Sequence, residues 1–148
     1  MKVIPSNDNI SECLKIRYAV FVGEQGVSPD LERDGYDEPN SLCDHYLIFD
    51  GGAPVGAFRV LLDEGDAAHI GRLCVLKEHR KKGFGAAALD FCTETYGKKG
   101  FSKLALGAQC HAIPFYEKCG FEVVSDVYYD AGIPHRKMEK ILKKEILP

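Results

Sequence analysis

The segment KEHRKKGFGA, residues 77–86, has the residue types and spacing that bind an anion. Its first six residues carry five basic-type side chains, counting His79, against one acid, and Gly83 and Gly85 follow. A helical apolar repeat begins at Gly83, so the glycines mark a helix start, where free backbone amides and the positive end of the dipole hold phosphates. Glycine also lets a ligand approach the backbone without a side-chain clash. We therefore predict a pyrophosphate cradle at this turn.

The turn also has three other possible interpretations. A triphosphate P-loop needs G-x-x-x-x-G-K-[ST], and no Gly-Lys-Ser or Gly-Lys-Thr occurs in the chain, which excludes it. Residues 83–88 match the dinucleotide pattern G-x-G-x-x-A, but six polar residues precede Gly83 and no acid lies between Glu94 and Glu117, which disfavours a nicotinamide cofactor. On the glycine pair alone, a solvated basic helix start stays open.

The spacing Arg80-x-x-Gly83-x-Gly85 resembles the acyl-coenzyme A signature of the GNAT superfamily of N-acetyltransferases. Further along, residues 112–121, AIPFYEKCGF, are similar to the A-x-x-F-Y-E-K-x-G-F segment of that superfamily, in the expected order. A narrower resemblance, to the small bacterial ElaA-like and YjcF-like predicted acetyltransferases, rests on short segments: FVGEQ at 21–25, the acids Glu32, Asp34 and Asp37, IGR at 70–72, AQ at 108–109 and GIPH at 132–135.

The resemblance implies a fold, a cosubstrate and a set of site residues. The fold is α+β, with a mixed, mostly antiparallel sheet flanked by helices on both faces, and the cosubstrate is acetyl-coenzyme A, with no metal. Leu73, Cys74 and Val75 would pair through their backbone with the pantetheine arm, and Tyr116 would donate a proton to the leaving thiolate. The pyrophosphate would bind the turn itself, that is Arg80, Lys81, Lys82, Gly83, Phe84, Gly85 and Ala86. Gln109 stands where many members carry Asn, so its contact with the cofactor arm is open.

A general base is the second requirement of acetyl transfer to an amine. A primary alkyl amine is protonated at neutral pH, so a carboxylate or imidazole must accept its proton, directly or through water. The candidates are Glu24, His45, His69, His111 and His135. We favour Glu24, because polar Glu24 and Gln25 follow a helix that leads, in the superfamily, toward the acceptor side of the cleft.

Charged residues near that helix have two possible uses. The acids Glu32, Asp34, Asp37 and Glu38 would steer a cationic acceptor, unless they only form a solvated loop. Arg59 and Arg72 lie in strand-like runs, where a buried arginine needs partners, and we expect them to pair with these loop acids rather than bind an anionic acceptor.

The elements that must position these residues follow from the hydrophobic pattern. A short strand at residues 1–5 precedes a helix with Ile10, Leu14, Tyr18 and Phe21 on one face, N-capped from Ser6, Asn7 or Asp8. A loop over 24–40, with room for one helical turn, leads into a three-strand meander whose first turn is Gly51-Gly52. A central helix from Gly83, with Phe84, Ala87, Ala88, Phe91 and Thr95 on one face, ends near Gly97 or Gly100. Then come a strand at 103–108, a helix at 113–118, a strand at 121–129 and a strand around 137–142.

Length and composition limit the class of protein. With 148 residues, 45% of them hydrophobic and 28% charged, we expect a single acyl-CoA N-acyltransferase domain over residues 1–148. The net charge of −3 argues against a nucleic-acid or membrane partner, and the absence of a long apolar segment predicts a cytoplasmic location. The six cysteines form no C-x-x-C pair and most lie in apolar runs, so we expect buried free thiols.

Three functions fit these residues to different degrees. The favoured one is an N-acetyltransferase that holds acetyl-coenzyme A and a primary amine together, with direct attack. The alternatives are a non-catalytic acyl-coenzyme A sensor and a cysteine-based acyl carrier, which apolar surroundings at Cys74 and Cys119 disfavour by raising the thiol pKa. The acceptor is open. A homodimer that pairs through a sheet edge or the last strand is only a habit of the superfamily.

Overall fold

The structure is a computed structural model that describes residues 1–39 and 41–142, with the backbone alone at 63–64. A sheet of eight strands forms its centre, in the order β1-β2-β3-β4-β5-β8-β6, with β7 also paired to β8. The strands are β1 (Lys2–Pro5), β2 (Cys43–Asp50), β3 (Ala53–Glu64), β4 (Ala67–Val75), β5 (Lys103–Gln109), β6 (Glu122–Val123), β7 (Tyr128–Asp130) and β8 (Ile133–Ile141). All pairs are antiparallel except β4 with β5.

Helices cover both faces of this sheet, as predicted. They are α1 (Ser11–Arg17), α2 (Pro29–Glu32), α3 (Phe84–Lys98) and α4 (Ile113–Lys118). On one face, α3 packs over the main core, which includes Phe58, Leu104 and Met138. On the other face, Cys13 and Ile16 of α1 pack against Leu47, Ala57 and Cys74. The predicted α+β architecture with a mixed, mostly antiparallel sheet is therefore confirmed, and the meander turns at Gly51-Gly52 as expected.

The first helix differs from its prediction in two ways. Its N-cap position is Ile10, and Asn9 rather than an earlier residue accepts a hydrogen bond from the Ser11 amide at 3.1 Å. After Arg17 the chain continues as a π-helix over Tyr18–Glu24. Apolar spacing does not distinguish this wider turn from an α-helix, because both bury the same side of the segment.

Two further predictions are corrected. The strand predicted over residues 121–129 is two short strands, β6 and β7, both paired to β8. The buried face of α3 consists of Phe84, Ala88, Leu89, Cys92 and Tyr96, so it is rotated by about one residue from the predicted face. This helix has two adjacent apolar stripes, and its contact with the sheet determines which of the two is buried.

A buried ion cluster attaches the long loop after α1 to the sheet. It contains three arginines and three carboxylates: Arg17, Arg59, Arg72, Glu32, Asp34 and Asp37. The Arg17 guanidinium donates to Glu32 at 2.7 Å and to both Asp37 oxygens at 2.7 and 3.0 Å. Arg59 donates to both oxygens of Asp34 at 2.7 and 2.6 Å. The expectation that Arg59 and Arg72 pair with loop acids is confirmed, and equal numbers of opposite charges keep the cluster neutral.

Asp37 is the carboxylate that links two of these arginines. Its side chain is fully buried and receives hydrogen bonds from Arg17, Arg59 and the Asp34 amide. Burial alone would raise the pKa of Asp37, but the hydrogen bonds from Arg17 and from the Asp34 amide, together with the charges of Arg17 and Arg59, lower it to about 2. The loop acids are therefore structural partners of arginine, and the alternative of a solvated acidic loop is wrong for Glu32 and Asp37.

We expect Asp37→Asn to lower the free energy of unfolding at pH 7 by about 3 kcal/mol, because it leaves buried arginine charge without a partner. Urea denaturation measures this. The control Glu38→Gln changes an exposed carboxylate that lies 4.0 Å from exposed Arg33, and its effect should stay within about 0.5 kcal/mol. Equal stability of wild type and Asp37→Asn would contradict the prediction.

The low pKa of Asp37 also predicts how the difference in stability between wild type and Asp37→Asn depends on pH. The folded pKa of Asp37, about 2, lies below the unfolded value of roughly 3.9. The stabilisation by ionised Asp37 is therefore complete above the unfolded pKa and is lost as the pH falls through the folded pKa. The difference in stability between wild type and Asp37→Asn should narrow from pH 4 toward pH 2.

Candidate active site

The paired strands β4 and β5 separate half-way along their length. Their parallel pairing runs only from Ala67–Lys103 to Ile70–Leu106. Beyond that point β4 pairs with β3 alone, and β5 pairs with β8 alone as far as Gln109–His135. The edge of β4 that faces β5 thus has no strand partner over its last residues, within the part of the chain that the structure describes.

A β-bulge in β4 lies where the separation begins. Arg72 has a left-handed φ of 54°, and the register of β4 on β3 shifts by one residue between the pairs Arg59–Gly71 and Ala57–Cys74. A bulge bends and twists its strand, so it turns the end of β4 away from β5. The ion contacts of Arg72 with Glu32 and Asp34, at 3.1 and 3.4 Å, hold this unusual backbone.

The gap between the strands is the floor of a cleft of about 720 Å³. The structure brings eleven of the predicted site residues to its wall: Glu24, His69, Leu73, Cys74, Val75, Arg80, Gly85, Gln109, His111, Tyr116 and His135. His45 does not line it. Burial lowers the pKa of His45, and its Nε2 lies 3.1 Å from the Tyr36 carbonyl, so it belongs to the loop region.

The glycine-rich turn leads into α3, as predicted, but of its predicted residues only Arg80 and Gly85 are among those that line the cleft. Lys81 and Gly83 both have positive φ, 63° and 85°, and Gly83 is the N-cap of α3 without a side-chain hydrogen bond to the helix. A Cβ at Gly83 would meet nothing within 4 Å, so the space above the first amides of α3 is open. Lys82 is exposed, and Ala86 is half-buried on the first turn. The side chain of Phe84 lies in the main core, so only its backbone can serve the turn.

Gly85 has a packing role in addition to the role that the sequence predicted. A Cβ at this position would lie 3.2 Å from the Phe115 ring, which is tighter than ordinary contact. Phe115 belongs to α4, so Gly85 lets the start of α3 pack against α4. The interpretation that Gly85 serves ligand approach is therefore supplemented by a packing role that no spacing rule could reveal.

Arg80 connects the two sides of the cleft. Its Nε donates to the Val75 carbonyl at 2.9 Å, at the end of β4, and its Nη2 donates to the Glu24 carboxylate at 2.7 Å. The neighbouring Gln25 exchanges two amide hydrogen bonds with Gln109 at 3.2 and 2.9 Å. The end of the π-helix thus contacts both β4 and β5 across the gap. The role of Glu24 as general base stays a prediction, and its carboxylate is engaged by a guanidinium.

Tyr116 lies on α4 with its ring packed against two aromatic neighbours. The ring centroids are 5.1 Å from Phe115 and 6.0 Å from Phe121, both in edge-to-face geometry. Its hydroxyl has no hydrogen bond to any residue that the structure describes, and the residue lines the cleft. Burial, with a smaller contribution from Cys119, raises the pKa of Tyr116 to about 12. The phenol therefore stays protonated and available as a donor at neutral pH.

Tyr128 and Asp130, which line the cleft from β7, are among the residues that sequence reasoning missed. They are separated by one position, so they share a face of a strand. Alternation before the turn at Gly132 was the available signal, but a three-residue strand is too short for the pattern to stand out.

The model of the acetyltransferase (GNAT) domain matches residues 25–142 of the sequence. The chain belongs to the GNAT family. It is 35% identical to the uncharacterized Bacillus subtilis protein YyaT over 99% of this chain and 98% of YyaT. It is also 35% identical to the uncharacterized N-acetyltransferase YjcF of B. subtilis, over 93% of this chain and 96% of YjcF. Among solved structures, Escherichia coli ElaA superposes with a TM-score of 0.80 and 29% identity, over 94% of this chain and 98% of that chain.

Membership of the GNAT family makes the protein an acyltransferase with acetyl-coenzyme A as its cosubstrate. The cleft fits such a substrate, because an unpaired strand edge leads toward an uncapped helix start with open space above it. Among residues 1–39 and 41–142, no group of three or more His, Cys, Asp or Glu side chains is placed to hold a metal ion. No helix of the described chain is long and apolar enough to cross a membrane.

The turn can be tested by two variants of Gly83 that differ only in charge. Asp and Asn have the same shape and both tolerate a left-handed backbone, so any strain is common to them. If the turn faces a diphosphate, Gly83→Asp should bind coenzyme A at least about tenfold more weakly than Gly83→Asn, since a like charge would lie close to the ligand. Isothermal titration calorimetry measures both dissociation constants, and equal values would remove the diphosphate from this turn.

Proposed function

We propose that this GNAT protein transfers the acetyl group of acetyl-coenzyme A to a primary amine of a small molecule or peptide, by direct attack within a ternary complex. The observation that carries the proposal is the composition of one continuous cleft. It contains an open strand edge, a helix start with free amides, a protonated phenol and three histidines. These groups match the demands of thioester aminolysis.

Binding of the cofactor is assigned to backbone groups first. Leu73, Cys74 and Val75 lie where the edge of β4 has no strand partner. The Val75 carbonyl accepts from Arg80, and the other backbone groups of this edge can pair with the amide groups of pantetheine as an added strand would. The amides of Phe84, Gly85 and Ala86 lie in the first turn of α3 and are suited to the pyrophosphate. Arg80 and the exposed Lys81 and Lys82 supply positive charge beside them. Gln109 fixes the end of β5 through Gln25.

Tyr116 is proposed as the group that stabilises the leaving sulfur. Burial raises the pKa of Tyr116 to about 12, so the phenol keeps its proton at neutral pH. It can therefore donate a hydrogen bond, or the proton itself, to the departing thiolate.

A cysteine-based carrier is disfavoured by burial of the thiols. All six cysteines are free, and Cys13, Cys43, Cys74 and Cys92 are buried. Burial raises the pKa of the Cys119 thiol as well as that of Cys74. Thiolates are the nucleophilic form, so these thiols are unreactive at neutral pH and a direct attack by the amine is favoured.

The experiment that tests the function measures thiol release from acetyl-coenzyme A with propylamine, 1,4-diaminobutane, β-alanine and a lysine-containing peptide. Coenzyme A binding is measured in parallel by calorimetry. Turnover that depends on an added amine is expected. Binding without turnover on any of these amines would favour the sensor alternative. A cytoplasmic location, a homodimer and the lack of a nucleic-acid partner stay predictions.

Removal of one hydroxyl tests the role of Tyr116. We expect Tyr116→Phe to lower kcat by roughly 10²-fold, the usual contribution of a positioned proton donor, while the dissociation constant of coenzyme A changes less than about twofold because the ring contacts remain. Tyr129→Phe is the matched control, since Tyr129 is 74% exposed and does not line the cleft. A Tyr116→Phe enzyme as fast as wild type would make the residue structural.

A further inference from the structure

One wall of the cleft is the hairpin of β7 and β8, which contributes Tyr128, Asp130 and His135. Its turn consists of Ala131 and Gly132, with φ of 51° and 76°, and Asp130 pairs with Ile133 on either side. Two consecutive left-handed residues form the tight turn that matches the twist of a hairpin. The hairpin is therefore a rigid support for the side chains that it presents to the cleft.

His135 is the titratable group on this hairpin that is most firmly held. Its side chain is 9% exposed, and its Nδ1 lies 2.7 Å from the Ile133 carbonyl. A carbonyl can only accept, so Nδ1 carries the proton and the neutral ring has its lone pair on Nε2. Nε2 has no hydrogen-bond partner among the described residues. The ring is thus prepared to accept a proton from the cleft.

Tyr128 fixes the orientation of this imidazole. The two rings stack, with centroids 5.8 Å apart and an interplanar angle of 24°. The Tyr128 hydroxyl lies directly above Gly107, where any side chain would collide with it. Gly107 is therefore part of the same arrangement, because only glycine in β5 leaves room for the stacked pair.

His135 and Tyr116 act from opposite faces of the sheet. Side chains alternate along a strand, and Met138 of β8 lies in the main core under α3, so His135 projects to the other face. Tyr116 packs against the main core from α4. The gap between β4 and β5 lies between the two faces. The two groups can thus contact a bound thioester from different sides, with His135 near the attacking amine and Tyr116 near the leaving sulfur.

The charge of the cleft indicates the class of acceptor. Arg72 is paired with Glu32 and Arg80 with Glu24, whereas Asp130 lines the cleft without an ion pair to any described residue. Tyr128 and Asp130 lie two residues apart on β7, so Asp130 projects to the same face of the sheet as the stacked rings of Tyr128 and His135. One uncompensated negative charge beside a proton acceptor favours a cationic ligand.

We infer that His135 Nε2 accepts a proton from the acceptor amine, and that Asp130 on the same hairpin attracts a positively charged amine. The inference rests on the proposed function. The amine nitrogen forms a bond to the acetyl carbon while the C–S bond breaks and its electron pair leaves with sulfur. Of the two protons that a charged amine loses in becoming an amide, one passes through His135 to solvent and the other is balanced by protonation of sulfur beside Tyr116.

The test compares His135→Gln with wild type on two amines, propylamine and 2,2,2-trifluoroethylamine. The second amine is already neutral at neutral pH and needs no base to release its lone pair. Glutamine has no basic nitrogen. We expect kcat with propylamine to fall roughly 10²-fold, the loss to be much smaller with trifluoroethylamine, and coenzyme A affinity to be retained. If His135→Gln does not bind coenzyme A, His135→Asn replaces it.

The variant Asp130→Asn tests separately whether the Asp130 carboxylate attracts the acceptor amine. We expect KM for 1,4-diaminobutane to rise roughly fivefold with kcat little changed, the effect of about 1 kcal/mol of lost attraction. Asp126→Asn is the matched control, because Asp126 is exposed and lies outside the cleft. It should behave as wild type.

The outcomes separate this inference from the proposed function. Equal losses on both amines would make His135 structural, and a fully active His135→Gln would exclude it as the base, while amine-dependent turnover by wild type still supported the function. An unchanged KM for Asp130→Asn would show that Asp130 does not attract the amine. A wild type inactive on every amine would overturn both proposals.

Discussion

The separation of β4 from β5 is the constraint on which the rest of the site depends. A parallel pair that stays hydrogen-bonded to its end would close the sheet and leave no backbone groups for a ligand. Here the pairing stops at Ile70 and Leu106. Backbone amides and carbonyls that lack a strand need another partner or water. The open edge of β4 therefore both creates the cleft and provides the polar surface along which pantetheine can lie.

The ion cluster and the β-bulge of β4 share one residue and stabilise each other. Arg72 is the bulged residue of β4 and also a member of the cluster. Arg17 and Arg59 attach the same loop acids to α1 and β3. The strained backbone beside the cleft is thus held by charges that come from the loop, and the loop is held by the sheet. Buried charges of this kind are tolerated only when each has a partner, which explains why the acids and arginines occur in equal numbers.

Burial of Tyr116 determines the protonation state of its phenol. Loss of hydration disfavours the phenolate and raises the pKa of Tyr116 to about 12. The phenol remains a donor throughout the physiological range. Tyr116 packs on the face of the sheet that α3 covers, and the stacked pair of Tyr128 and His135 lies on the other face.

The sequence by itself determined the order of elements, the glycine turn and the family, because these depend on local spacing. The helix at 113–118 and the Gly51-Gly52 hairpin were predicted to the residue or nearly so. Only the tertiary structure decided that Gly85 makes room for Phe115, that Glu24 binds Arg80, and that His135 rather than His45 faces the cleft. Each of these depends on contacts between segments far apart in the chain, and a pattern within one segment carries no information about which distant residue it will meet.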